Sequence, residues 1–218
     1  MTAPLRIGGL TPLTTIDYPG ALAAVVFLQG CPWRCGYCHN QHLLPATQGA
    51  MSWQDVRDFL LRRQGLLDAV VFSGGEPTWQ PGLPAAAREV RALGFRVGLH
   101  SAGIFPQRLA GMLDAVDWVG LDIKAPAARY DAVTGVPGGG VKARSALARV
   151  QRSGVAYECR TTWHEGLFPS EELLALGGEL ADAGVAHWSV QGCDGRASAA
   201  AARVLAPLVP RFESLLLR

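Results

Sequence analysis

The sequence predicts an α/β protein built on a parallel sheet, and three observations carry that expectation. Short, almost continuously apolar runs recur along the chain, segments with a helical apolar stripe separate them, and a polar or glycine-rich tip closes nearly every run. Buried parallel strands read as unbroken apolar runs because helices cover the sheet. Both winding patterns open to such a chain place their chemistry at the carboxyl ends of the strands.

The expected strands are AAVVFL (23–28), AVVF (69–72), RVGLH (96–100), WVGLDIK (118–124), AYECRTT (156–162) and HWSVQ (187–191). Their tips are QGC, SGGEP, HSAG, DIK, RTTWHE and QGCDG, so the special residues gather on one rim. Helical stripes are formed by Trp53, Val56 and Leu60, by Leu109, Met112, Leu113 and Val116, by Leu147 and Val150, and by Leu173, Leu174 and Leu180. Val204, Leu205, Leu208, Phe212 and Leu215 define a C-terminal helix over 197–218. Ser52 and Ser170 are the expected N-caps, the second followed by Glu171 and Glu172 in the favourable first turn. Residues 1–22 form an N-terminal extension and 23–76 a first half-site; with no linker or repeat in view, 1–218 is one domain. GVPGGG (135–140) reads as a mobile loop. Six strand-helix units with right-handed crossovers wind either into an open arc, three quarters of an eight-unit barrel, or into a flat doubly wound sheet. The pattern alone does not choose.

Composition narrows the class. A chain of 218 residues, 49% of them hydrophobic, buries a sizeable core without staples. The N-terminal MTAPLRIGGLTPLTTIDYPG lacks a basic stretch followed by an apolar core, and no run approaches the ~18 apolar residues of a membrane span, so a cytoplasmic protein without a membrane partner is expected. Net charge is +2 with Lys and Arg dispersed, which argues against nucleic acid and for a protein or small-molecule partner. Thiols in a reducing compartment stay reduced, so clustered cysteines point to metal binding or chemistry.

Three of the five cysteines fall within QGCPWRCGYCHN (29–40). A zinc site needs four ligands, and His39 or His42 would have to complete Cys31, Cys35 and Cys38. CGYCH also spells the attachment signature of a c-type haem, a chemistry of exported proteins. An iron-sulfur cubane held by three thiolates leaves one iron with an open position, which suits a site where a cofactor must bind the metal. Three thiols are then sufficient.

The spacing C-x3-C-x2-C, with Tyr37 before the last cysteine, resembles the cluster loop of the radical S-adenosylmethionine (radical SAM) superfamily. One strand-helix unit later, SGGEP (73–77) resembles that family's Gly-Gly-Glu segment. The resemblance implies a partial (βα)6 parallel barrel of the radical SAM type, with one [4Fe–4S] cluster on Cys31, Cys35 and Cys38 and with S-adenosylmethionine as cofactor. It implies that the unique iron binds the amino and carboxylate groups of S-adenosylmethionine. One electron from the reduced cluster then yields methionine and a 5′-deoxyadenosyl radical, which abstracts a hydrogen. Gly74 and Gly75 would permit close backbone approach to the aminoacyl end, and Glu76 would accept from its ammonium. Tyr37, Cys38 and His39 would lie along the adenine and the cluster. Asp122 and Lys124 match the family's Asp-hydrophobic-Lys strand end, which contacts ribose and aminoacyl groups. Arg160 would pair with the cofactor carboxylate, and Ser101 would touch the cofactor.

Residues 5–40, with IDYPG before the first strand and YCHN closing the loop, resemble glycyl-radical-enzyme activating enzymes, most of all those of anaerobic ribonucleoside-triphosphate reductase. That resemblance implies an oxidoreductase that takes a hydrogen from one glycine of a glycyl-radical partner, anaerobic ribonucleotide reductase, fed by a donor such as flavodoxin or ferredoxin. It places Asp17 near the substrate glycine, although an aspartate before Pro19-Gly20 also suits an ordinary turn. Five cysteines leave no room for a second, ferredoxin-like cluster insert. His100-Ser101-Ala102-Gly103 stands where related pyruvate formate-lyase activases carry Asp-Thr-Asn-Gly, whose aspartate helps bind a monovalent cation; imidazole is a poor ligand for such a hard ion. Cys159 and Cys193 lack ligand spacing and read as small buried residues. The alternatives are a radical SAM enzyme acting on a small molecule, similar to 7-carboxy-7-deazaguanine synthase, and a zinc-binding module.

Overall fold

The chain enters the sheet earlier than the sequence predicts. In the computed structural model, which describes residues 5–193 and 199–218, β1 (Ile7–Thr14) lies inside the expected extension and runs antiparallel to β2 (Ala23–Leu28). The other apolar runs become β3 (Ala69–Gly74), β4 (Arg96–Ser101), β5 (Trp118–Asp122), β6 (Ala156–Trp163) and β7 (His187–Gly192), all parallel to β2. A further strand, β8 (Ser214–Leu217), pairs parallel to β7. The eight strands are neighbours in chain order. A doubly wound sheet reverses its strand order at a switch point, whereas a sheet that steps one way around is a barrel winding. The sequential order therefore decides for the open arc, with β1 and β8 as edges that do not pair with each other among the described residues.

The helices are α1 (Trp53–Leu61), α2 (Leu83–Ala92), α3 (Pro106–Ala110), α4 (Tyr130–Thr134), α5 (Gly139–Ser153), α6 (Ser170–Asp182) and α7 (Ala199–Leu205). Ser52 caps α1 as expected, in a reciprocal capping box with Asp55. Four expectations change. Ser170 is the first residue of α6, whose cap is Pro169 without a side-chain bond. The stripe from Leu109 to Val116 is cut into α3 and a 3-10 turn, Leu113–Ala115. The helix expected over 197–218 ends at Leu205, continues as 3-10 turns through Pro210 to Arg211, and gives way to β8. Pro210 lacks the N–H that a longer helix would need, and Phe212 turns onto Trp188, ring centroids 5.6 Å apart.

The fourth change concerns GVPGGG, which is built into the structure. Gly135 closes α4 in the left-handed region at φ +69, and Gly139 and Gly140 form the first turn of α5. A Cβ on Gly135 would sit 3.0 Å from the Arg34 carbonyl oxygen, so the glycine lets this segment lie against residues 33–34.

Strand alternation divides two cores. Cys159, Trp163 and Trp188 belong to the large core between sheet and helices, whereas Tyr18, Val25, Val71 and Trp118 form a smaller apolar cluster inside the arc. Tyr18 comes from the IDYPG segment, which folds into the arc and packs its ring on Trp118, tilted by 43° with centroids 5.5 Å apart. No helix among the described residues is long and apolar enough to cross a membrane. Gly135→Ala should cost about 1–2 kcal/mol from left-handed strain alone. A lowered melting temperature together with reduced iron uptake would show that this segment supports the loop it touches.

Candidate active site

Residues 29–45 leave the end of β2 as a loop whose own main chain closes it. Gly30 N–H donates to the Leu43 carbonyl at 2.7 Å and Cys31 N–H to that of Leu44 at 3.1 Å. The buried Gln29 amide donates to the carbonyls of His42 and Pro45, both at 2.9 Å, and the buried Gln80 donates to the Gln29 and Arg6 carbonyls. On the other flank, Arg34 N–H donates to the Thr134 carbonyl at 2.8 Å, and Trp33 packs edge-on against Tyr130. The three thiols are thus left to face one cavity, lined also by Tyr37, His39, Gly74, Gly75, Ser101, Asp122, Lys124 and Arg160. Of the expected cofactor residues, Glu76 alone is absent from that wall.

The Gly-Gly-Glu segment acts on the protein itself. Gly75 N–H donates to the Leu28 carbonyl and Glu76 N–H to that of Gly30, both at 2.9 Å, so the β2–β3 ladder continues into the cysteine loop. A Cβ on Gly75 would collide with the Gly30 carbonyl, and one on Gly74 with the Leu28 backbone. Close approach is required between two strand tips, besides any approach to a ligand. The Glu76 side chain, 1% exposed, accepts from Thr78 N–H, Thr78 Oγ1, Ser101 Oγ (2.8 Å) and Ala102 N–H (2.9 Å). Its carboxylate ties the tip of β3 to that of β4, a different task from accepting a ligand's ammonium. Burial raises its pKa, opposed by these four donors.

Asp122 is the electrostatic centre. Its Oδ1 accepts from Arg160 Nη2 at 2.9 Å and Nε at 3.1 Å, and its Oδ2 pairs with Lys124 Nζ at 3.2 Å. Burial would raise its pKa, but Lys124 and Arg160 outweigh that and hold it at about 2. Lys124 lies 5.6 Å from the Tyr37 ring centroid. Burial disfavours its charge, yet the facing Tyr37 and Asp122 keep its pKa above the ordinary value. Tyr130, which the sequence analysis did not single out, binds this strand end through its hydroxyl, accepting from Lys124 N–H at 3.2 Å. Burial pushes the Cys31 thiol up to about 12, with a Trp33 backbone hydrogen bond opposing, and raises Cys35 as well. Without a metal these thiols are protonated at neutral pH, so loading must release protons.

His100 has a structural task. Its Nε2 lies 2.9 Å from the Asp17 carbonyl oxygen, so this nitrogen carries the hydrogen and donates. Asp17 is fixed on both sides: its carboxylate accepts from Thr14 Oγ1 at 2.6 Å in a turn, and its carbonyl is held by a ring on the cavity wall. Burial, with Arg160 next, lowers the His100 pKa to about 3. Cys159 is buried under the helices as expected, whereas Cys193, at the end of β7, is only half-buried.

A family model described as the radical SAM superfamily matches residues 25–173. The chain belongs to that superfamily. Among its relatives is a candidate glycyl-radical enzyme activating enzyme of Methanocaldococcus jannaschii, 29% identical over 177 residues, covering 77% of this chain and 72% of the relative. Another is the pyruvate formate-lyase-activating enzyme of Listeria monocytogenes, 32% identical over 132 residues; the match covers 55% of this chain and 53% of that enzyme. The solved structure of QueE from Escherichia coli shares the fold, with a TM-score of 0.59 at 18% identity over 100% of this chain and 95% of that one.

Radical SAM enzymes use a [4Fe–4S] cluster and S-adenosylmethionine, and the residues present fit both. A single ion needs ligands that converge, and no three His, Cys, Asp or Glu side chains do so among the described residues. A cubane instead takes each thiolate on a different iron, which suits three thiols spread around one cavity. The cavity volume is about 180 Å3, below the ~300–1,000 Å3 of whole-ligand pockets, so it would enclose only part of a nucleoside cofactor.

Two outcomes follow. Cys31→Ala, Cys35→Ala and Cys38→Ala should each fail to retain a full cluster after anaerobic reconstitution, while Cys159→Ala keeps it, as iron content and visible absorption would show. For His100, the unfolded chain takes up a proton below ~6.5 that the folded chain refuses until about 3, so stability falls as pH falls through that window. Denaturant unfolding at pH 7 and pH 4 should show His100→Gln losing ~2–3 kcal/mol less than the parent protein.

Proposed function

We propose that this radical SAM enzyme is a glycyl-radical-enzyme activating enzyme. The observation that carries the reading is the match over 77% of the chain to a relative described as such, joined by the match to pyruvate formate-lyase-activating enzymes. The chain spans about half the length of the latter. When bound, the reduced cluster supplies the electron that cleaves S-adenosylmethionine to methionine and the 5′-deoxyadenosyl radical, which takes a hydrogen from a glycine of the partner.

The chain's own residues hold and shield these groups. Cys31, Cys35 and Cys38 are the three thiolate ligands, on a loop braced by Gln29, Gln80 and Thr134. Gly74 and Gly75 present main chain to the cofactor, Ser101 offers a hydroxyl, and Tyr37 and His39 cover it from the loop side. Lys124 and Arg160 supply positive charge for a carboxylate, with Asp122 fixing both. Asp17, anchored by His100, stands on the substrate side. The partner is anaerobic ribonucleoside-triphosphate reductase, a reading supported by IDYPG and YCHN, and a flavodoxin or ferredoxin in the cytoplasm supplies the electron.

The test uses cluster-loaded protein, reductant, S-adenosylmethionine and a peptide or partner whose reacting glycine carries two deuterons at Cα. Deuterium should appear in 5′-deoxyadenosine. Product formed without deuterium, at the same rate with and without glycine substrate, would contradict the activase reading.

A further inference from the structure

A second cavity, of about 700 Å3, opens at the end of the sheet opposite the cysteine loop. Its wall includes Trp118, Ala156, His187 and Ser214, the first residues of β5, β6, β7 and β8. Chemistry in this winding belongs to the carboxyl ends of the strands, so the cavity lies away from it. Tyr18, Val71 and Trp118 fill the interior between the two ends, with the His100 ring centroid 5.7 Å from that of Trp118. The cavity is therefore a separate compartment, and its volume falls within the ~300–1,000 Å3 of small-molecule sites.

One carboxylate on its wall lacks donors. Glu158 faces the inside of the arc, because its neighbour Cys159 belongs to the core under the helices. It is 5% exposed, and its one donor among the described residues is Arg218 Nη2, 3.3 Å from Oε2; Oε1 has none. That distance is long for a charge-assisted bond, ordinarily ~2.7–2.9 Å. Glu76, also buried, is served by four donors. A buried carboxylate as poorly served as Glu158 calls for a further donor, preferably a charged one. Rotation about χ3, a soft two-fold torsion, can turn either oxygen toward the opening. The other acid on the wall, Glu213, lies 3.8 Å from His187 and is 76% exposed, so it has no comparable need. A single water, at ~30 Å3, would leave most of the space empty. Pro19, Trp118, Val155 and Leu216 give much of the wall an apolar face.

We propose that this cavity binds a small organic monocation, an amine or amidine with an apolar body. Its charged N–H groups donate to Glu158, and its body lies against Trp118 and Leu216. Seated there, it ties β6 to β8, whose one neighbour in the sheet is β7, and stabilises the fold by mass action. The site is independent of the cysteine cavity and of the activase reading.

The probes are benzamidine and its neutral isostere benzamide, titrated by calorimetry into the cluster-loaded protein. Benzamidine should bind at least ~10-fold more tightly, the effect of a hydrogen bond to a charged group. Because ligand charge is varied against an unchanged protein, this comparison does not depend on how a variant folds. Glu158→Gln should bring the two affinities within about twofold of each other. Leu216→Lys, at a 43% exposed edge position, should do the same, since its ammonium competes in the same cavity. Saturating S-adenosylmethionine should leave the benzamidine affinity unchanged within about twofold. Equal binding of the two probes, binding of neither, or displacement of benzamidine by S-adenosylmethionine would overturn the site. A preference for benzamidine that survives both substitutions would overturn the role of Glu158.

Discussion

Asp122 sits between two cations, and the site is arranged around that triad. A half-buried carboxylate beside one cation from its own strand end and another from the next strand crosslinks β5 to β6 where chemistry is expected. Removing it would strand two positive charges against a low-dielectric wall, the situation in which a broken ion pair is most destabilising. The same contacts place Lys124 over Tyr37 of the cysteine loop and hold Arg160 on the wall of the cysteine cavity. The positive charge also faces the place where three thiolates would carry negative charge. Fold and electrostatics therefore share one carboxylate.

The cysteine loop follows the opposite logic, because almost nothing that holds it belongs to the thiols. Gln29 and Gln80 fix its stem, residues 30–31 and 43–44 close it, and Trp33 and Arg34 lean on α4 and Gly135. A loop braced in this way keeps its shape with the sulfurs unengaged, so the metal meets a largely prepared cradle. The Gly-Gly-Glu segment belongs to the same scaffold: its glycines admit the tip of β2, and its glutamate fastens β4.

The six central strands were legible because each is short, largely buried and mostly apolar, and ends in a polar or glycine-rich tip. The edges were not. Ile7–Thr14 contains two glycines and a proline and is mostly half-buried, so it has neither period; Ser214–Leu217 hides its strand inside a stripe that helical spacing fits equally well. Helix α2 buries Leu83, Ala86, Ala87 and Val90 at helical spacing, but alanines make a faint stripe. At the site, Cys31, Cys35, Cys38, Gly74, Gly75, Asp122, Lys124 and Arg160 meet in one cavity as their places at strand tips implied. The inward turn of Glu76, the latch between His100 and Asp17, and the brace of Tyr130 depend on contacts between residues far apart in the chain. No local spacing encodes them.

In the proposed reading, three thiols hold a cubane whose remaining iron is open to S-adenosylmethionine. The most direct measurement is electron paramagnetic resonance of the anaerobically reconstituted, reduced protein, recorded without and with S-adenosylmethionine. A [4Fe–4S]+ signal whose g-values shift on addition of the cofactor is expected. A cubane signal that the cofactor leaves unchanged, or a protein that takes up zinc and no iron, would contradict the account.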